Sequence, residues 1–142
     1  MNGIKLRGLG RCVPAQSVTN DDLAKTVDTS DAWITARTGI RSRRRCTEET
    51  HTELCVSAAR DALHMAGITP ADIGVCIVAT VSADTIVPSA ACMLQRDLGM
   101  PEDTPCFDLN AACTGFIYAL HTMECLLNAA PRKFGLVVGA EA

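Results

Sequence analysis

The fold of this chain is decided by the stretch Pro105-Cys-Phe-Asp-Leu-Asn-Ala-Ala-Cys-Thr-Gly-Phe-Ile-Tyr-Ala-Leu120. It opens with a short apolar segment, Cys106 to Leu109, which predicts a strand, and it breaks at small residues. Apolar residues then recur at helical spacing, which predicts a helix over residues 113–129 with one buried face. The predicted buried face consists of Cys113, Phe116, Ile117, Leu120, Met123 and Leu127.

Cys113 falls in the first turn of this predicted helix. Unpaired backbone N–H groups and the positive end of the helix dipole stabilise an anion there, and such an environment lowers the pKa of a thiol. Two interpretations follow for this cysteine. A buried cysteine packs as a small hydrophobe, whereas a cysteine between a tight turn and a helix is placed to act as a nucleophile. In the second case its own N–H group helps to stabilise an oxyanion.

Four ordered motifs resemble those of the beta-ketoacyl-acyl-carrier-protein synthase III family, which has the thiolase fold. The run from Phe107 to Leu120 is similar to the family's nucleophile segment. The other motifs are Val27 to Arg41, Ala79 to Asp84 together with Pro88 to Cys92, and Leu136 to Glu141. The resemblance extends along the whole chain and covers roughly the first half of a typical member.

The resemblance implies an α/β, thiolase-like fold with a mostly parallel sheet and helices on both faces, as one half of a two-repeat architecture. The pattern of the chain agrees, because strands and helices alternate in a way that favours a parallel sheet. The predicted elements are strand 74–80, helix 88–98, strand 106–109, helix 113–129 and strand 134–138. We therefore expect residues 1–142 to form an N-terminal thiolase-like half-domain, with the C-terminal half absent.

The resemblance also implies an activity. In the family, the cysteine matching Cys113 takes an acyl group from acyl-CoA, such as acetyl-CoA, as a thioester. Malonyl-acyl carrier protein then loses carbon dioxide and attacks this thioester, which gives the 3-oxoacyl product that initiates fatty acid biosynthesis without a cofactor. This second step needs a histidine and an asparagine from the C-terminal half, and none of His51, His64 and His121 matches that motif. We therefore expect the fragment alone to be inactive in condensation.

A candidate nucleotide site lies earlier in the chain. Trp33, the only tryptophan, and Arg37 are four residues apart in a predicted helix that Thr29 or Ser30 caps. An indole beside a guanidinium group suits a purine and its phosphates, although Trp33 could instead anchor its helix in the core. The resemblance implies that Trp33, Arg37 and Thr29 hold coenzyme A, and that the basic run 37–45 meets acyl carrier protein.

Val87 departs from the family pattern. Members often have a large aromatic residue there, which reaches into the acyl pocket of the dimer mate. The resemblance therefore implies a homodimer, and the smaller valine leaves room for a longer or branched acyl group.

Two further stretches predict structure. Ile4 to Leu9 alternates apolar and polar residues, which predicts a half-exposed strand, and Gly8 and Gly10 fit turn positions because the third glycine of a dinucleotide fingerprint is missing. A capping box begins at Thr50 and starts a helix. Its predicted buried stripe is Cys55, Ala58, Ala59, Ala62 and Met65, and its histidines at 51 and 64 are expected at the surface.

Composition narrows the classes of function. The chain has 142 residues and a net charge of -3, which argues against general nucleic-acid binding. It has neither an apolar run that could cross a bilayer nor a signal-peptide core, so the cytoplasm is expected and a membrane is not. Eight cysteines without a C-x-x-C pair predict reduced thiols in core packing rather than a metal site or disulfides.

Two alternatives to the synthase III interpretation stay open. One is another condensing enzyme of the thiolase fold, of the polyketide type or a hydroxymethylglutaryl-CoA synthase, which shares the cysteine but uses different partner residues. The other is a non-catalytic fragment that binds coenzyme A or a carrier protein. A face left open by the missing half would make the fragment self-associate.

Overall fold

The structure is a computed structural model that describes residues 3–142. The chain divides into two compact units. The smaller is Val13–Glu49, and the larger combines residues 3–12 with Thr50–Ala142. The expectation that residues 1–142 form one half-domain stays a prediction, and Met1 and Asn2 lie outside the described residues.

The smaller unit contains strand β1 (Gln16–Thr19), helix α1 (Asn20–Ala24), helix α2 (Asp31–Thr38) and strand β2 (Ser42–Arg45). The two strands pair antiparallel. Asn20 is the buried centre of this unit, because its amide donates to the carboxylate of Asp31 and to the carbonyl of Ile40, both at 2.8 Å. Its amide oxygen accepts from Arg43 at 2.9 Å. One polar side chain thus joins the helices to β2.

The larger unit alternates helices and strands, as the sequence predicts. Its helices are α3 (His51–Ala66), α4 (Ala90–Leu98) and α5 (Gly115–Leu127). Its strands are β3 (Ile73–Ala79), β4 (Cys106–Leu109) and β5 (Phe134–Gly139). Helix α4 begins two residues later than predicted, because the Ser89 side chain accepts the N–H of Cys92 and caps the helix at that point.

The three strands form a parallel sheet in the order β4-β3-β5. All seven residues of the central strand β3 are buried, which explains its uninterrupted apolar sequence. Successive side chains point to opposite faces. Cys76 and Val78 therefore pack beneath α3 and α4, and Ile77 and Ala79 pack beneath α5. The predicted α/β arrangement, with a parallel sheet and helices on both faces, is confirmed.

The predicted strand at Ile4–Leu9 is wrong. This segment has no regular secondary structure and runs against α3 instead of pairing with a strand. A Cβ atom on Gly8 or Gly10 would collide with the carbonyl oxygen of Ala62 or Ala58. These glycines are therefore required by the close approach of two backbones and not by a turn.

The predicted orientation of α3 is wrong at both ends. His51 is fully buried, whereas Met65 is 64% exposed. The capping box at Thr50 is confirmed, and it places the first turn of α3 inward so that His51 faces the ends of the strands. The buried residues of this helix are His51, Thr52, Leu54, Cys55, Val56, Ala59 and Leu63.

The predicted buried face of α5 is also wrong in part. The helix faces the sheet with Gly115, Ala119 and Met123, whereas Phe116 and Ile117 are 43% and 64% exposed. Small residues set this orientation, since a Cβ on Gly115 would lie 3.4 Å from that of Ala79 and Met123 packs directly on Gly135. The helix approaches the sheet most closely where its own side chains are smallest.

Candidate active site

The turn between β4 and α5 has an unusual backbone. Ala112 has φ 45°, which lies in the left-handed region where residues other than glycine are uncommon. This conformation costs about 1–2 kcal/mol for an L-residue with a Cβ atom. Strain of this kind is concentrated at functional sites, and Ala112 directly precedes Cys113.

Cys113 is exposed and lies in a single 3₁₀ turn, Ala112–Thr114, which leads directly into α5. Its predicted place within the first turn of the long helix is therefore wrong by two residues, because the left-handed Ala112 closes a tighter turn first. The Thr114 hydroxyl donates to the Ala111 carbonyl at 2.8 Å and holds this turn. Cys113 thus remains at the N-terminal end of α5, where anions are stabilised.

The strand that carries this turn is fixed from two sides. The carboxylate of Asp108 accepts the N–H groups of Ala90 and Ala91, each at 2.8 Å, and so satisfies the first turn of α4. The carbonyl of Leu109 accepts the N–H of Thr80 at 3.2 Å. Asp108 therefore positions the end of β4 from which the Cys113 turn departs.

A buried polar cluster lies at the same edge of the sheet. His51 Nε2 is 2.9 Å from the Thr80 hydroxyl and 3.1 Å from the Ala140 carbonyl oxygen. Because a carbonyl oxygen only accepts, Nε2 carries a proton and donates it. Nδ1 then accepts from the Cys55 thiol, whose sulfur is 3.7 Å away. Burial, with nearby Asp84 and Asp108, raises the pKa of Cys55 to about 12, so this thiol stays protonated.

Two carboxylates tie the neighbouring loop to this cluster. Asp84 accepts the N–H of His51 at 3.0 Å and both the N–H and the hydroxyl of Thr52. Glu141 accepts the N–H of Val81 and the hydroxyl of Ser82. The loop after β3 is thereby attached to α3 and to the end of β5. His51 is predicted at the surface, and no motif around it indicates that it would be buried in this cluster.

The predicted nucleotide residues lie in the smaller unit. The Arg37 guanidinium stacks over the Trp33 ring at 4.2 Å from its centroid, as their spacing predicts. Trp33 is 53% exposed, so it does not anchor α2 in a core. Thr29 is half-buried, and Ser30 rather than Thr29 caps α2. An open indole face beside a cation is suited to a nucleotide base and phosphate.

The arginines after α2 do not all point to solvent. Arg44 donates to the Ala15 carbonyl at 2.8 Å, and Arg43 is bound to Asn20. Arg41 and Arg45 are exposed. The run is thus partly structural, and its exposed members are the ones free to meet an acidic partner.

Val87 lies in the loop between β3 and α4. It is 85% exposed and follows Ile86, which is 95% exposed. Two adjacent apolar side chains in open solvent are suited to contact with another surface.

All eight cysteines are free thiols. Cys55 and Cys76 are buried, and Cys113 and Cys125 are exposed. Within residues 3–142, no group of three or more metal-ligating side chains is arranged around a common point. Over the same residues, no helix combines the length and apolar character needed to cross a bilayer.

Residues 107–142, which contain the Cys113 turn, match the sequence model of the family described as 3-Oxoacyl-[acyl-carrier-protein (ACP)] synthase III. The Beta-ketoacyl-[acyl-carrier-protein] synthase III of Clostridium acetobutylicum is 46% identical over 141 residues. That alignment covers 99% of this chain and 43% of the relative.

Solved structures agree with the sequence comparison. The 3-oxoacyl-[acyl-carrier-protein] synthase III of Aquifex aeolicus VF5 has a TM-score of 0.86 at 42% identity, covering 90% of this chain and 42% of that one. The priming beta-ketosynthase of the R1128 polyketide biosynthetic pathway has a TM-score of 0.89 at 34% identity, covering 95% and 40%. The expected thiolase-like fold is confirmed. The chain spans about 43% of the length of the curated relatives it matches, and over that length its sequence and fold are similar to those of beta-ketoacyl-[acyl-carrier-protein] synthase III proteins.

Proposed function

We propose that this chain supplies the acyl-accepting nucleophile of a 3-oxoacyl-[acyl-carrier-protein] synthase III, an acyltransferase that initiates fatty acid biosynthesis. The observation that carries the proposal is the position of Cys113. Its thiol is exposed, follows the strained Ala112 and lies at the N-terminal end of α5. This end of α5 adjoins the carboxyl edge of a parallel sheet, which is where α/β proteins bind their ligands.

The proposed reaction begins with acyl transfer. The Cys113 thiolate attacks the thioester carbonyl of acyl-CoA, and the resulting oxyanion accepts a hydrogen bond from the Cys113 N–H, one of the unpaired donors of a helix start. Collapse of this intermediate expels the coenzyme A thiolate, which takes up a proton, and leaves the acyl group on Cys113. One thioester replaces another, so the exchange is close to balanced and needs no cofactor.

Condensation then uses malonyl-acyl carrier protein. Loss of carbon dioxide builds negative charge on the malonyl thioester oxygen, which requires strong hydrogen-bond donors. His51 is engaged with Thr80 and Ala140, and His64 and His121 are exposed. We propose that the chain by itself performs acyl transfer but does not complete the condensation.

Coenzyme A is proposed to bind through the smaller unit. The adenine would stack on the exposed Trp33 ring, Arg37 would meet a phosphate, and Thr29 would contribute a hydroxyl. The stacked geometry of Trp33 and Arg37 supports this assignment.

Assembly and location belong to the same proposal. A homodimer would place the exposed Val87 against the acyl pocket of a second copy, and the small valine would admit an acyl group longer than acetyl. The buried free thiols of Cys55 and Cys76 suit a reducing compartment, which supports the cytoplasm. Neither nucleic acid nor a membrane is proposed as a partner.

Mass spectrometry of the chain after incubation with acetyl-CoA tests the acyl transfer. We expect a mass increase of one acetyl group, mapped to Cys113 and absent from Cys113→Ala. Cys125→Ala is the matched control, since Cys125 is also exposed on α5, and it should acetylate like the unaltered chain. Acetylation spread equally over both cysteines would contradict an assigned nucleophile.

Tryptophan fluorescence, recorded alongside the mass spectrum, separates the synthase from a non-catalytic binding fragment. Quenching of the single tryptophan by acetyl-CoA without a covalent adduct would favour the binding fragment. The polyketide alternative is favoured by the similarity to a priming beta-ketosynthase. A strict preference for acetyl-CoA over longer acyl-CoAs would count against a roomier pocket at Val87.

A further inference from the structure

The core beneath α3 and α4 contains a pair of cysteines on adjacent strands. Cys76 of β3 and Cys106 of β4 are register partners in the parallel sheet. Both side chains belong to the hydrophobic cluster on the α3 and α4 face, so they point the same way. The pair is distinct from Cys113, which lies in the turn after β4.

The spacing of the two strands suits a covalent link. Neighbouring strands lie about 4.8 Å apart, and directly paired residues share this spacing. Disulfides span Cα separations of about 4.4–6.8 Å. The spacing expected for these register partners therefore falls within the range that a disulfide spans.

The two thiols differ in burial and in pKa, and these differences suit them to different roles. Cys76 is fully buried, and the hydrogen bond with Cys106, together with burial, raises its pKa. Cys106 is half-buried, and its interaction with Cys76 lowers its pKa. The more accessible sulfur is thus also the one that is more easily ionised. A second thiol needs no access to solvent when it reacts within the molecule.

We propose that Cys76 and Cys106 form an oxidation-sensitive pair, which a hydroperoxide converts into a disulfide joining β3 to β4. The Cys106 thiolate attacks the peroxide, which breaks the O–O bond, leaves Cys106 as a sulfenic acid and releases hydroxide or alkoxide. The Cys76 thiol then displaces the sulfenic hydroxyl as water. Two thiols lose two electrons and two protons in all, and the peroxide is reduced.

Two other cysteines compete for this chemistry. The Cys92 thiol is 3.7 Å from the Cys106 carbonyl oxygen, so it faces the backbone of that residue. Cys55 is directed at His51, and its pKa is raised to about 12. The register therefore favours Cys76 as the partner of Cys106.

Peptide mapping of the oxidised chain tests the pair. The chain is treated with hydrogen peroxide, its remaining thiols are alkylated, and it is digested with trypsin without reduction. Cleavage places the two cysteines in different peptides, residues 61–96 and 97–132. We expect these peptides to be linked, fragmentation to assign the link to Cys76 and Cys106, and dithiothreitol to reverse it.

Variants assign the order of the steps. Cys76→Ser should abolish the link and leave a sulfenic acid at Cys106, which dimedone traps about ten-fold more than in the unaltered chain. Cys92→Ser is the matched control and should leave the link intact. A link from Cys92 to Cys106 would overturn the proposal. An unoxidised Cys106 at a peroxide dose that oxidises the exposed Cys113 would overturn it as well, and this readout does not depend on any variant.

Discussion

The imidazole Nε2 of His51 lies 2.9 Å from the hydroxyl oxygen of Thr80, and His51 has no exposed surface. The contact joins the first turn of α3 to the end of the central strand. Through the Ala140 carbonyl, the same nitrogen also reaches the end of β5. One histidine thus holds together the sheet edge from which the Cys113 turn departs.

Replacement of His51 should destabilise the chain. His51→Ala leaves the Ala140 carbonyl and the Cys55 thiol without their partner and opens a cavity, so we expect a loss of about 2–4 kcal/mol in the free energy of unfolding. Urea unfolding followed by circular dichroism measures it. His64→Ala, on the exposed side of the same helix, should change the value by less than about 0.5 kcal/mol. Equal effects would show that the buried cluster contributes little.

The Asp84 carboxylate should make stability depend on pH. Burial opposes its ionisation, but hydrogen bonds from the Thr52 hydroxyl and from the N–H groups of Thr52 and His51 hold its pKa below the ordinary value of 3.8. The ionised carboxylate therefore contributes fully to the free energy of unfolding above pH 3.8. This contribution is lost as the pH falls through the lower pKa that Asp84 has in the folded state.

Thermal melting of Asp84→Asn measures this contribution. We expect the variant to melt below the unaltered chain near pH 7 and the difference to shrink below pH 3.8. Asp61→Asn, on the exposed side of α3, is the control and should show no such pH-dependent difference. If the difference in melting temperature between Asp84→Asn and the unaltered chain stays the same in acid, the ionised carboxylate is not its source.

The thiol of Cys113 should be more reactive than that of Cys125. Both are exposed, but only Cys113 lies at the N-terminal end of α5. The helix dipole favours an anion there by about 0.3–1 kcal/mol, which corresponds to about a two- to five-fold faster reaction with iodoacetamide at neutral pH. Time-resolved labelling with peptide mapping gives both rates in one sample. Equal rates would remove the electrostatic argument for Cys113 as the nucleophile.

Ala112 should gain stability on replacement by glycine. Its φ of 45° strains an alanine but not a glycine. Glycine loses more conformational entropy on folding than alanine, and this loss offsets part of the strain that the replacement removes. We therefore expect Ala112→Gly to raise the free energy of unfolding by about 0.5–1 kcal/mol. Ala111→Gly is the neighbouring control at φ -143°, and it should lower stability instead. A loss at both positions would show that the left-handed turn carries no strain.

The exposed side of α5 should drive self-association. Phe116, Ile117 and Tyr118 are each at least 43% exposed and adjacent in sequence, and apolar patches of this kind mark surfaces that another surface covers. Light scattering should therefore report species larger than the monomer, and Ile117→Glu should shift them toward it. Met65→Glu is the matched control, because Met65 has the same 64% exposure on α3. A monodisperse monomer of the unaltered chain would contradict this expectation.

Local patterns predicted the elements of the larger unit well, because each is specified by its neighbours in sequence. The apolar run of β3 and the Thr50 capping box each specify one element, and both are found where predicted. The stacking of Arg37 on Trp33 also follows from their spacing within one helix. The face that α5 buries could not be predicted in the same way, because hydrophobicity favoured Phe116 and Ile117 whereas close packing selected the small Gly115 and Ala119.

The sequence by itself determined the alternation of strands and helices, the parallel sheet and the resemblance to the beta-ketoacyl-[acyl-carrier-protein] synthase III family. The tertiary structure alone decided that His51 is buried, that residues 3–12 lie against α3 and that Cys76 faces Cys106. The physical reason is that hydrophobic periodicity reflects interactions between residues that are close together along the chain. Contacts between residues far apart depend on how closely two backbones approach, and that distance is set only when the layers pack together.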